Sequence, residues 1–200
     1  MTITDSENRR AGPDSSPHAP AEAGTWVFIL GDLTIFALMF GAFIWSRADH
    51  EVDFLAGHHA MSRTSGALMT LTLLVSSLAV VLAVERIRAG VMRSARRLLF
   101  LAIACGSLFG VLKAVEYHDK FSHGHDLVAS QFWAFYFGLT GIHLAHVLIG
   151  MIALGVVASS TRGRSRLAPR RLRLVEGVAV FWHMVDAVWI VLFALFYLVR

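Results

Sequence analysis

Five residues in this chain could do chemistry only with help from their surroundings. Asp32, His143, His146, His183 and Asp186 each interrupt a run of apolar residues. Ionisable side chains in such runs are expensive in a bilayer, so they face other helices, line a cavity or pair with one another. His183 and Asp186 are three apart, as are His143 and His146, so each couple shares one helix face. Three chemistries suit such a set. Two imidazoles from separate helices could ligate a haem iron from both sides. Carboxylates and imidazoles could relay protons. Alternatively, each imidazole satisfies a neighbouring carboxylate or carbonyl, and the set locks helices together. His143 and His146 are too close to serve separate haems stacked along a bundle. Two acids beside three imidazoles also give a simple pairing scheme. Locking is therefore the expectation, with His183 and Asp186 as a buried polar pair. Asp32 is the best relay candidate, yet no titratable residue lies between it and Trp26 to continue a path. It is expected at a helix–helix contact.

The elements that must position these groups are membrane spans. The chain has 200 residues, is 56% hydrophobic and 16% charged, and has a mean hydropathy of +0.61. That is too apolar for a soluble domain of this size. Five apolar runs cover 26–45, 65–84, 98–115, 132–159 and 178–199. Each approaches or exceeds the ~20 residues that cross a hydrocarbon core. The fold expected is an all-α bundle of five transmembrane helices over 24–200. Residues 1–23, rich in Ser, Pro, Ala and charge, are expected to be a disordered tail and not a signal peptide.

Arginine placement orients the bundle. Thirteen arginines fall in the tail and in the two connections after runs two and four. The other side has Arg47, Arg63, Lys113, Lys120 and Arg200. The positive-inside rule then puts the N-terminus in the cytoplasm and the C-terminus outside. The net charge of +4 reads as topology and not as a nucleic-acid surface. At 1.5 Å per residue, Asp32 lies roughly 10 Å from the cytoplasmic side and His183 roughly 10–15 Å. His143 and His146 lie roughly 15–20 Å in from the outside. All five could meet in one layer.

Other groups read more plainly. Lys113 and Glu116 close run three and are expected to snorkel to the outer headgroups. Trp26, Trp45, Trp133 and Tyr197 sit near run ends, where amphipathic rings favour the interface. Ala102, Gly106, Gly110 and Ala114 make a small-residue ribbon that admits a neighbouring helix. The outer connections hold His50, His58, His59, His118, His123 and His125, without the ligand spacing of a structural metal site. They are expected to be solvated loops. The single Cys105 forms no internal disulfide. No nucleophile elbow, phosphate loop or dinucleotide fingerprint appears, so no catalytic residue is assigned.

The motifs also resemble a known family. Trp182-His183-Met184-Val185-Asp186-Ala187-Val188-Trp189 is similar to the Trp-His-Phe-Val-Asp-Val-Val-Trp of subunit III of haem–copper respiratory oxidases. The stretch Thr140-Gly141-Ile142-His143-Leu144-Ala145-His146-Val147-Leu148-Ile149-Gly150 resembles its Thr-Gly-x-His-Gly-x-His-Val-x-x-Gly. Glu116-Tyr117, Ser76-Ser77 and the position of Asp32 match as well. Leu144 and Met184 depart from the usual Gly and Phe. The resemblance is to the five-helix bacterial form. It implies a multi-pass subunit of the bacterial plasma membrane that carries no redox cofactor and packs with subunits I and II. Haem and copper would lie in subunit I, and the complex would reduce oxygen to water with coupled proton transport. Seven-helix members hold lipids in a cleft beside two extra N-terminal helices. This chain lacks those helices, so lipid contact of that form is not expected. A related branch accompanies nitric oxide reductases and shares the motifs. A stand-alone transporter or haem-binding protein is the reading from another class. All four prolines lie outside the runs and no inverted repeat is evident, which argues against a transporter.

Overall fold

Every described element of the computed structural model, which describes residues 23–163 and 166–198, is helical. The helices are α1 (Ala23–Asp49), α2 (Glu51–His59), α3 (Arg63–Arg88), α4 (Met92–Ser122), α5 (Gln131–Ser160) and α6 (Pro169–Phe193). A π-helical turn, Ala194–Leu198, continues α6. Five of these segments are long and apolar enough to cross a membrane, as the runs require. The expected tail lies outside the described residues except for Ala23, which opens α1.

Local chemistry sets the ends. Pro169 occupies the first turn of α6, where its missing N–H costs nothing. Helices α3 and α4 both finish on a glycine with φ of +77°. Gly90 N–H bonds to the Ile87 carbonyl and Val91 N–H to that of Arg86. Gly124 and His125 make the same two bonds to Phe121 and Lys120. This paired cap satisfies orphan carbonyls and needs the left-handed region that glycine enters freely.

The interior follows a heptad-like register. On α4 the buried residues are Met92, Ala95, Leu99, Ala102, Gly106, Phe109, Lys113 and Glu116, alternating three and four apart. On α3 the same spacing runs through Gly66, Met69, Leu73, Ser76, Val80, Ala83 and Ile87. The two antiparallel helices mesh along these stripes, and the Ser76 hydroxyl donates to the Ala102 carbonyl at 2.9 Å. Trp182 of α6 fits a notch between Gly106 and Gly150, where an added Cβ would stand 3.1 Å and 2.6 Å from its ring. Gly106 thus packs closely against Trp182. Gly110 does not: a Cβ there would meet nothing within 4 Å.

Helix α1 is held by one narrow stripe, Ile29, Phe36 and Phe43, with Asp32 in the same register. Helix α2 was not anticipated, because its composition is polar. Glu51 and Asp53 in its first turn complement the helix dipole. Phe54 and Gly57 press it onto the bundle, where Gly57 leaves room for the Phe132 ring.

Candidate functional site

The polar residues sort into three assemblies. The first joins α1 to α5. His146 Nε2 lies 3.1 Å from Asp32 Oδ1. Its Nδ1 lies 2.8 Å from the Ile142 carbonyl. A carbonyl only accepts, so Nδ1 carries a proton and donates it. Asp32 thus lies at a helix–helix contact.

The second assembly is built on α6 and its neighbours. His183 Nδ1 is 2.7 Å from the Ser77 hydroxyl of α3. Asp186 lies beside the same serine and interacts with it, although neither of its buried oxygens makes a well-aligned hydrogen bond among the described residues. His183 and Asp186 therefore do not bond to each other. Sharing a face set them side by side, and the intervening serine took the imidazole. His143 is buried with neither ring nitrogen hydrogen-bonded. It packs between Phe109, edge-on at 5.7 Å, and Trp189, tilted at 5.3 Å. Among the described residues this imidazole has no carboxylate or carbonyl partner and is held by aromatic contacts.

The third assembly lies toward the end of the bundle opposite the arginine-rich one. Lys113 and Glu116 were expected to snorkel, but both are buried, Lys113 fully. The Lys113 ammonium donates to Glu116 Oε2 at 2.9 Å, the Tyr136 hydroxyl at 2.8 Å and the Tyr197 hydroxyl at 3.1 Å. That uses all three of its donors. Tyr197 in turn donates to the Glu116 carboxylate at 2.8–2.9 Å. The rings of Tyr117, Tyr136, Trp189 and Tyr197 stand 4.4–5.7 Å from the ammonium, a cation–π enclosure. Tyr117 also bonds the Thr140 hydroxyl at 2.6 Å. Tyr197 thus faces inward and not toward the interface.

His58 adds a fourth element. It is buried, not solvated as its loop position suggested, and Nδ1 donates to the Phe196 carbonyl at 3.1 Å. That carbonyl belongs to the π-helical turn, whose last oxygens lack helical partners. Among the described residues no three His, Cys, Asp or Glu side chains converge as a metal ligand set would.

Sequence reasoning missed the Lys113 cage, although a signal was present. Starting from Gly106, the inward register of α4 advances seven residues to Lys113 and ten to Glu116. The end of the apolar run hid that continuity.

These assemblies tie helices together and leave no aligned nucleophile, base or metal ligand set among the described residues. Comparison with known proteins gives them a context. The family model for cytochrome c oxidase subunit III matches residues 18–199. The chain belongs to this family. It is 32% identical to cytochrome c oxidase subunit 3 of Corynebacterium diphtheriae over 179 residues, covering 88% of this chain and 87% of that one. A probable cytochrome c oxidase subunit 3 of Mycobacterium tuberculosis is 29% identical with the same coverage. Quinol oxidase subunit 3 of Bacillus subtilis is 25% identical, covering 88% and 85%. The chain is accordingly a subunit III of a haem–copper terminal oxidase, a multi-pass membrane protein of a respiratory chain and part of a multi-subunit complex.

Proposed function

We propose that this chain is a supporting subunit without a redox centre, packed against a catalytic subunit I that holds haem and copper, with subunit II in the same assembly. The complex reduces oxygen to water with coupled proton transport in a bacterial plasma membrane. The observation that carries this reading is that two sets of buried ionisable groups close on one another. Asp32 meets His146, and Lys113 meets Glu116 and two tyrosines, so the strongest polar groups serve helix contacts. In this reading the arginine-rich end faces the cytoplasm, following the positive-inside rule. Membrane lipids are further partners. A groove of about 620 Å³ between α1, α5 and α6 has apolar walls from Phe28, Ile149 and Phe181. Arg170 and Arg173 line it and suit a phospholipid phosphate.

Purifying the chain from its native membrane tests the proposal. Haem-containing oxidase subunits are expected to co-purify, and the chain dissociated from them should show no Soret absorption. A stoichiometric Soret band in the isolated chain, lost in His143→Ala or His183→Ala, would refute it.

A further inference from the structure

The seam between α3 and α6 is unlike the other outward faces of the bundle. Three polar contacts cross it. Trp189 Nε1 donates to Thr70 at 3.0 Å, His183 meets Ser77 at 2.7 Å, and Arg88 donates to Glu176 at 2.6 Å. Thr70, Ser77 and His183 are only half-buried, so this ladder reaches the membrane-facing surface. Apart from the half-buried Asp32–His146 pair between α1 and α5, that surface is elsewhere dominated by large apolar side chains, such as Phe28, Leu30 and Leu38 on α1 and Phe100, Leu108 and Val111 on α4. Thr34 and Ser107 are also exposed, but each hydroxyl donates to the carbonyl four residues earlier, which hides its polarity.

His183 is different. Its Nδ1 is engaged by Ser77, while Nε2 has no hydrogen bond among the described residues, and the side chain is only half-buried. The residue stands at the middle of the span Pro169–Leu198, and Ser77 is near the middle of Arg63–Arg88. Half of a hydrocarbon core is about 15 Å thick, so no lipid headgroup serves that nitrogen. A polar atom facing hydrocarbon carries a desolvation penalty unless a partner satisfies it. One turn along the same face is Ala187, exposed and small, which permits close approach of another helix.

We propose that the α3–α6 face centred on Ser77 and His183 docks a transmembrane helix of a neighbouring subunit, which presents a hydrogen-bonding group to His183 Nε2. If Ser77 donates to Nδ1, then Nε2 carries the proton and donates outward. If Nδ1 donates to Ser77, then Nε2 accepts. Either arrangement gives one directional contact at mid-membrane, and that contact fixes the register of the docked helix. The inference rests on the reading of the chain as an oxidase subunit and assigns the face it uses.

Photo-crosslinking in the intact complex tests it. A benzophenone amino acid is placed at Ala187, and separately at Leu38 on α1 and Val111 on α4. All three sites are exposed, so the probe leaves the interior untouched. The Ala187 probe is expected to capture another subunit, and the other two to capture lipid. Capture of lipid alone, or of a second copy of this chain, from Ala187 would overturn the proposal. So would capture of a partner subunit from Leu38 or Val111 instead. A preparation without oxidase subunits would instead defeat the functional reading itself. In parallel, His183→Ala should lower the fraction of chain retained by the complex, and His183→Gln, whose amide nitrogen reaches a position near Nε2, should restore it. Wild-type retention in His183→Ala would also count against the docking contact.

Discussion

The Lys113 cage and the Asp32–His146 pair solve the same problem by different means. Both bury ionisable groups in an apolar bundle. The cage saturates a full charge, with three acceptors for the ammonium and two donors for the carboxylate, drawn from α4, α5 and the π-helical turn. The pair uses one contact between two helices, and Asp32 Oδ2 has no hydrogen-bond partner among the described residues. Redundancy explains the difference. The cage can hold separated charges because each has several ligands. The pair rests on one contact, between His146 Nε2 and Asp32 Oδ1. Removing a member should therefore be costly in the cage and mild in the pair.

The strongest test of that contrast is Lys113→Met, which strands Glu116. Breaking a buried ion pair costs roughly 3–5 kcal/mol in soluble proteins. The solubilised complex should lose thermal stability and retain less of this subunit. Glu116→Gln added to that variant should recover much of the loss. A double variant as unstable as the single one would show that packing, not charge, is at stake. His58→Ala is next. It removes the donor to the Phe196 carbonyl and should cost about 1 kcal/mol, read as a lowered melting temperature. An unchanged value would mean the π-helical turn is held by the cage alone.

Asp32→Asn sharpens the other side of the comparison. The amide can still donate to His146 Nε2, so assembly and initial turnover should be close to wild type, with a stability change below about 1 kcal/mol. Oxygen consumption and proton release in vesicles check this. Immediate loss of proton release from an assembled complex would make Asp32 an obligate relay. The smallest effect is expected from His143→Phe. Its ring already packs as an aromatic between Phe109 and Trp189, and its nitrogens bond no protein group. Replacing such a group by an apolar one of similar shape is nearly neutral. A marked loss of subunit retention would reveal a polar role for His143.

The sequence was legible where it records composition. Spans appear because hydropathy sums over many residues, and Asp32 appears because it stands alone in one. Which way a residue faces is a matter of phase, and that was harder to read. Lys113 was judged by its distance from a run end, although the register through Ala102 and Gly106 pointed it inward. His58 was judged by its polar neighbours, although its partner is a carbonyl 138 positions away. The His183–Asp186 pairing failed for a third reason. Side chains three apart share a face, but a hydroxyl on the adjacent helix offered His183 better geometry.

The π-helical turn bears on how the protein is made. Spans emerge from a ribosome in order, so α2, α4 and α5 precede the segment that carries Phe196 and Tyr197. Until that segment arrives, His58 lacks its carbonyl and Glu116 lacks its phenol, leaving polar groups uncovered inside an incomplete bundle. Arrival of the last span closes both at once. A chain that stalls before residue 194 therefore lacks both the Phe196 carbonyl for His58 and the Tyr197 hydroxyl for Glu116, and only the Lys113–Glu116–Tyr136 part of the cage can form.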